Sequence, residues 1–123
     1  MNVMDVVQEA GRLLGSSFAL RGTITSDGLE VWISQEGADP LDKSKSILID
    51  QPNLFMDYLA GISFMVGGKV PFCLEGEVTG TLCKVSHPAF QFSIIPPFDL
   101  RVVKDGEEIR VDFSQPPLRV EVI

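Results

Sequence analysis

His87 and the two cysteines are the residues of this sequence best suited to nucleophilic or metal chemistry. A Cys–His system needs the histidine beside the thiol, and a strand end followed by His-Pro is a poor frame for that geometry. Zinc sites normally use close pairs such as C-x₂-C, whereas Cys73 and Cys83 are separated by about 30 Å if their predicted strand is straight. We therefore predict free, partly exposed thiols, with no disulfide, catalytic residue or metal site.

Glu75 and Glu77 are two positions apart on one predicted strand, so they face the same side. Paired carboxylates can act as acid and base when they flank a substrate. Two carboxylates on a solvated strand are more often surface charge. The pair is therefore a candidate part of a binding surface, and an enzyme built on it is an alternative hypothesis.

The Gly67-Gly68-Lys69 segment invites comparison with a phosphate-binding loop. The template requires a glycine where this chain has Ser63, and a Ser or Thr where it has Val70. The segment also precedes a predicted strand, so no helix N-terminus would receive a phosphate. It predicts a tight apolar loop, and we expect no cofactor.

Trp32 is the most suggestive residue for binding. The alternation places it opposite Leu29, Val31 and Ile33, on the outer face of its strand. A large outward aromatic residue often marks an interface, but the N-terminal helix could instead cover it, and the sequence leaves both possibilities open. A second candidate surface is an apolar loop, whose members are Ile62, Phe64, Met65 and Val66.

Charge limits the range of partners. The 123 residues include 10 Lys or Arg and 17 Asp or Glu, for a net charge of −7, and the basic residues are scattered. Because nucleic acids and anionic membranes are bound through clustered basic side chains, we predict neither as a partner. Since no segment resembles a signal peptide or a membrane span, we expect a cytoplasmic protein.

The first part of the chain predicts a helix followed by a hairpin. Apolar residues at helical spacing indicate an amphipathic helix that ends near Gly15, its stripe being Val3, Val6, Val7, Ala10, Leu13 and Leu14. The period then changes to two over residues 18–25 and 29–34, with a turn signal at Ser26-Asp27-Gly28 between them. Residues 35–45 are polar and predict a loop.

The middle of the chain predicts a strand, a short helix and a long strand. Residues 46–50 are apolar and end at Asp50, which can cap a helix that runs to about Gly61. Residues 72–83 alternate almost perfectly. Gly76 and Gly80 lie on the inward face of this strand, where sharp coiling around a small barrel requires positions without a side chain.

The last part predicts further strands. Residues 89–98 indicate an edge strand or bulge, and residues 100–104 and 107–113 indicate a hairpin around Asp105-Gly106. An extended tail follows. The sequence thus predicts a mostly β protein with two short helices: an OB-like five-stranded coiled antiparallel barrel, an N-terminal helix and an extra C-terminal strand. We expect a single domain over residues 1–123, with the helix at 1–15, the barrel at 16–113 and the tail at 114–123.

Residues 50–82, DQPNLFMDYLAGISFMVGGKVPFCLEGEVTGTL, contain a strand ending in Asp, a Leu-rich helix, a Gly-Gly loop and a V-x-G-x-L strand. This pattern resembles small bacterial proteins of unknown function that are OB-like. The resemblance implies the fold and carries no activity with it.

We predict a non-enzymatic binding module that meets a protein partner or a second copy of itself through Trp32 or the apolar loop. One version is a small acidic inhibitor or immunity-type protein that neutralises a basic partner. An alternative is a small-molecule or oligosaccharide binder that uses the barrel face, with Trp32 or Tyr58 in a concave site.

Overall fold

The computed structural model describes residues 1–51, 53–59, 72–111 and 113. Two helical segments, α1 and α2, come first, and a 3₁₀ turn at Lys43–Lys45 and a single π-helical turn at Phe55–Leu59 follow later. The helix bounds are Val3–Gln8 for α1 and Ala10–Leu13 for α2; the strands are β1 Ser17–Ser26, β2 Val31–Ser34, β3 Ile47–Ile49, β4 Phe72–Lys84, β5 Phe92–Lys104 and β6 Glu107–Arg110.

The predicted N-terminal helix is present as the two consecutive segments α1 and α2. The Asn2 side chain caps α1 by accepting a hydrogen bond from the backbone N–H of Asp5 at 2.9 Å. The predicted apolar stripe faces inward: Val3, Val6, Ala10 and Leu13 are buried in the same apolar cluster as the barrel residues. The helix therefore packs on the main core.

Five strands close into a ring. β1 pairs with β2 and β4, β2 pairs with β3, and β5 joins β4 to β3. β6 is bonded to the second half of β5, outside the ring. The predicted mostly β fold with an OB-like five-stranded barrel and two short helices is confirmed.

One pair in the ring, β3 with β5, is parallel, whereas the sequence predicted an antiparallel barrel. Strand direction cannot alternate all the way around a ring with an odd number of members. A closed five-stranded barrel must therefore contain at least one parallel pair, and here it is the pair that closes the ring.

The inward glycines of β4 allow the coiling that the sequence predicts. A Cβ placed on Gly76 would lie 2.4 Å from the backbone oxygen of Arg101 and 2.5 Å from Cδ1 of Ile24. Gly80 lies at a register shift, since Thr79 pairs with Asp99 but Thr81 pairs with Ile95. A bulge of this kind bends a strand and increases its twist.

β5 is one continuous strand, although the sequence predicted two pieces, at 89–98 and 100–104. The Pro pair that suggested an interruption lies at the register shift opposite Gly80, and a bulge is a position at which a strand can contain proline. The hairpin to β6 turns at Asp105 and Gly106, whose φ angles are +53° and +79°. Two positive φ angles match the predicted two-residue turn. The strand that follows is shorter than predicted, since β6 ends at Arg110 rather than Phe113.

Two apolar clusters are buried among the residues that the structure describes. The main cluster fills the barrel and includes Leu20, Ile24, Val78, Leu82 and Leu100. A smaller cluster, which we call the aromatic cluster, consists of Trp32, Leu48 and Phe90, with Val85 and Ala89 packed against it. Within the described part of the chain, no helix combines the length and the apolar character needed to cross a lipid bilayer.

Several predictions fall outside the described residues. These are the apolar loop with Ile62, Phe64, Met65 and Val66, the Gly67-Gly68-Lys69 segment, the helix end at Gly61 and the tail at 114–123.

Candidate functional site

Trp32 points away from the barrel interior, as the alternation predicts, but its side chain is 0% exposed. The prediction that it could offer an open binding surface is therefore wrong. The N-terminal helix packs on the main core and does not belong to the aromatic cluster. Instead, residues from the β2–β3 and β4–β5 loops cover the indole. This burial is favourable, since an exposed ring of this size next to Leu48 would leave a large apolar area in water.

The indole is fixed by its polar atom as well as by packing. Its Nε1–H donates a hydrogen bond to the backbone oxygen of Pro40 at 2.7 Å. The ring centroid of Phe90 lies 5.8 Å away, at an interplanar angle of 48°. A buried indole N–H requires such an acceptor, so the β2–β3 loop is tied down over the strand.

Lys43, in the 3₁₀ turn of the same loop, closes the outer side of the aromatic cluster. Its Nζ lies 4.7 Å from the centroid of the Trp32 ring and 5.8 Å from that of Phe90. The same Nζ lies 3.5 Å from Oδ2 of Asp27 in the β1–β2 turn. The ammonium therefore lies between two aromatic rings and a carboxylate, an arrangement that favours a cation.

Asp27 is held in place by its own turn. Its Oδ1 accepts hydrogen bonds from the backbone N–H groups of Leu29 at 3.0 Å and Glu30 at 2.9 Å. Partial burial acts to raise the pKa of the Asp27 carboxyl, but these two bonds and the charge of Lys43 outweigh it and keep the pKa below its ordinary value. The charged form of the carboxylate is therefore stabilised in the folded protein.

His87 joins the β4–β5 loop to the β1–β2 turn. The backbone N–H of Ala89 donates to its Nδ1 at 2.9 Å, so the neutral ring carries its proton on Nε2. Nε2–H then donates to Oε2 of Glu30 at 2.7 Å. Both ring nitrogens therefore serve loop structure, and the ring edge packs on Phe90 at 4.9 Å between centroids.

The cysteines are half-buried free thiols, as predicted. The Thr25 hydroxyl donates to Sγ of Cys73 at 3.8 Å. Cys83 pairs in register with Ser93, at the opposite end of β4 from Cys73. Among the residues that the structure describes, no group of three or more His, Cys, Asp or Glu side chains is arranged to hold a metal ion.

A second feature lies on the outer surface of β1, β4, β5 and β6, and we call it the charged face. It is an open groove of about 220 Å³. Its charged lining consists of Arg21, Glu36, Glu75, Glu77, Arg101 and Glu108. The strand register places these side chains together, since Arg21 pairs with Glu77 and Glu77 pairs with Arg101.

The two arginines of the charged face have carboxylate partners. Arg21 lies 3.8 Å from Glu77. Arg101 contacts Glu108 at 3.1 Å and Asp99 at 3.2 Å. The hydrogen bond to Asp99, with that to Glu108, raises the pKa of Arg101, and the hydrogen bond from Arg101 lowers the pKa of Asp99 against a smaller opposing effect of burial.

Two carboxylates of the charged face have no such partner. Within the described residues, neither Glu36 nor Glu75 takes part in an ion pair. Glu75 and Glu77 do share one side of β4, as predicted, but the groove is open to solvent. Acid–base catalysis gains from a site that excludes water, so this geometry suits the binding of cations better than catalysis.

Sequence reasoning missed Arg21, Arg101, Asp27 and Lys43. Arg21 and Arg101 occupy outward positions of predicted strands, but only the register shows that they lie on the two strands beside Glu77. Lys43 and Asp27 lie in segments predicted as loop and turn, and no local pattern connects them to Trp32.

No family model, curated protein or solved structure matches the chain.

Proposed function

We propose that this protein is a non-enzymatic binding module that takes up a basic segment of a partner protein along the charged face. The observation that carries the proposal is an open groove on the sheet in which Glu36 and Glu75 lack a basic partner among the described residues. A lysine or arginine of the partner supplies the missing counter-charges.

The charge balance supports this choice of partner. The charged lining of the groove contains two arginines against four glutamates, and the whole chain has a net charge of −7. Such a field attracts a cationic segment from a distance and accelerates its association. It repels both nucleic acid and a second copy of the chain, so a basic protein segment is favoured over the self-association alternative.

The arginines contribute selectivity. Two carboxylates hold Arg101 and restrict its position within the groove, and Arg21 lies 3.8 Å from Glu77. A partner must place its positive charges beside Glu36 and Glu75 and keep them away from these guanidinium groups. Like charges brought together in a wrong register are penalised. This pattern is compatible with the hypothesis of a small acidic inhibitor or immunity-type protein. The relation to small bacterial OB-like proteins and the cytoplasmic location both stay predictions.

The test measures the affinity for a fluorescein-labelled peptide of alternating Lys and Gly by anisotropy at low salt. The double variant Glu36→Gln/Glu75→Gln should bind on the order of tenfold more weakly, because each exposed pair contributes up to about 1 kcal/mol. The difference should shrink in 0.5 M salt, where exposed charges are screened.

Asp50→Asn/Glu107→Gln is the matched control, since it removes two exposed carboxylates that do not line the groove and that, like Glu36 and Glu75, take part in no ion pair among the described residues. This control should retain most of the affinity of the unmodified protein. If both double variants lose the same affinity, the peptide senses only net charge, and the charged face is not the binding site.

A further inference from the structure

The surroundings of the Lys43 ammonium resemble a recognition site more than an isolated surface contact. Two aromatic rings and one carboxylate approach the same Nζ, at 4.7 Å for Trp32, 5.8 Å for Phe90 and 3.5 Å for Asp27. The three residues come from β2, the β4–β5 loop and the β1–β2 turn, so the fold itself assembles them. Aromatic rings combined with a carboxylate are a recurrent means of binding organic ammonium ions.

Each wall of this cage is held by bonds that do not involve Lys43. The indole is fixed by Pro40. The Asp27 carboxylate is fixed by the backbone N–H groups of Leu29 and Glu30. Phe90 is buried and packs against the His87 ring, which is itself bonded at both nitrogens. The cage therefore keeps its shape when the Lys43 side chain leaves.

The position of Lys43 allows it to leave without moving its loop. Its side chain is 29% exposed, so part of it reaches solvent. The loop backbone is anchored separately: the Ser46 hydroxyl donates to the backbone oxygen of Asp42 at 2.8 Å and is bonded to the Ser34 hydroxyl at 2.8 Å. The loop backbone can therefore stay in place when the Lys43 side chain rotates out of the cage.

We infer that Trp32, Phe90 and Asp27 form a binding site for an organic ammonium group, and that the chain's own Lys43 occupies it as an internal ligand. The ligand is an alkylammonium or quaternary ammonium ion, either a small amine or the side chain of a lysine. Lys43 competes with it, so the unmodified protein binds such ligands weakly. This site is on a different surface from the charged face and does not depend on it.

The test removes the internal ligand and follows the only tryptophan of the chain. Lys43→Ala is titrated with choline and with n-butylammonium, and binding is read from Trp32 fluorescence and confirmed by calorimetry. The matched control is Lys45→Ala, which removes the same charge from an exposed position in the same 3₁₀ turn. A second control ligand is 3,3-dimethylbutan-1-ol, which has the shape of choline without its charge.

Lys43→Ala should bind choline or n-butylammonium at least about tenfold more tightly than the unmodified protein and Lys45→Ala, the effect expected when a cation–π and carboxylate site becomes free. The neutral alcohol should bind at least about tenfold more weakly than choline. The double variant Lys43→Ala/Asp27→Asn should bind choline several-fold more weakly than Lys43→Ala. Tighter binding of n-butylammonium assigns the site to lysine side chains, and tighter binding of choline assigns it to quaternary amines.

The inference fails if folded Lys43→Ala binds neither ammonium ion better than Lys45→Ala does. It also fails if the neutral alcohol binds as well as choline, because the site would then be only an apolar cavity. Should Lys43→Ala not fold, Lys43→Gln supports the same comparison, since it keeps two methylenes of the side chain and lacks the ammonium.

Discussion

At the residue scale, the role of a side chain in this protein depends on its neighbours more than on its residue type. His87 is the only histidine, yet both of its ring nitrogens are engaged in holding loops together. Glu75 and Glu77 are chemically identical neighbours on one face of β4, but within the described residues only Glu77 has a basic partner. Asp27 shows the same principle, since two backbone N–H groups and Lys43 stabilise its charged form.

The lowered pKa of Asp27 predicts an acid-dependent loss of stability. A carboxyl whose pKa is lower in the folded protein contributes stability above its unfolded pKa, which is 3.8 here, and loses it as the pH falls through the folded value. The free energy of unfolding, measured with urea between pH 5 and pH 2.5, should therefore fall more steeply for the unmodified protein than for Asp27→Asn. Parallel profiles for the two proteins would show that Asp27 does not contribute to this dependence.

At the element scale, the curvature of β4 decides how the barrel closes. Gly22 and Gly76 face each other across β1 and β4, and a side chain on either would meet backbone atoms. Gly80 adds a bulge further along. The same strand thus bends at positions without side chains on its inner face, while its outer face carries the glutamates of the charged face.

Gly76→Ala should destabilise the protein by roughly 1–3 kcal/mol, because its Cβ would overlap the Arg101 carbonyl and Ile24 and force the strands apart. Gly11→Ala is the matched substitution, since nothing lies within 4 Å of its new Cβ and the site is in α2. It should stabilise by about 0.5–1 kcal/mol through helix propensity. Thermal unfolding of both variants checks the opposite signs, and a neutral Gly76→Ala would contradict the close approach.

At the scale of the whole molecule, loops from three parts of the chain converge on one side of the barrel. The β1–β2 turn, the β2–β3 loop and the β4–β5 loop meet over Trp32, and their contacts are the bonds of Asp27, Pro40 and His87. OB barrels commonly bind ligands between such loops. Here the aromatic rings are covered by the chain itself, and the open, charged groove lies on another part of the sheet.

The net charge of −7 also predicts the assembly state. Two copies repel each other at neutral pH, and the charged face does not offer a neutral apolar patch. Size-exclusion chromatography with light scattering should give the mass of a single 123-residue chain in low salt. A stable dimer under these conditions would favour the self-association hypothesis over a basic partner.

The sequence by itself determined the elements that depend on near neighbours along the chain. The alternation of residues 72–83, the turns at Ser26-Asp27-Gly28 and Asp105-Gly106, and the apolar stripe of the N-terminal helix all appear in the structure. These patterns report the backbone period and the inward face, because side chains repeat every two residues in a strand and about every 3.6 in a helix. Together, these patterns were enough to predict the β barrel.

The tertiary structure alone decided what covers Trp32 and which charges meet. Glu30 and His87 are 57 residues apart in the chain, and Lys43 reaches Trp32 and Phe90 from a loop whose path no local pattern fixes. The sequence correctly predicts that Trp32 lies on the outer face of its strand. Its burial, however, depends on loops that are brought together when the barrel closes. The physical reason is that periodicity fixes the face on which a side chain lies, whereas the packing of distant segments fixes whether that face meets water.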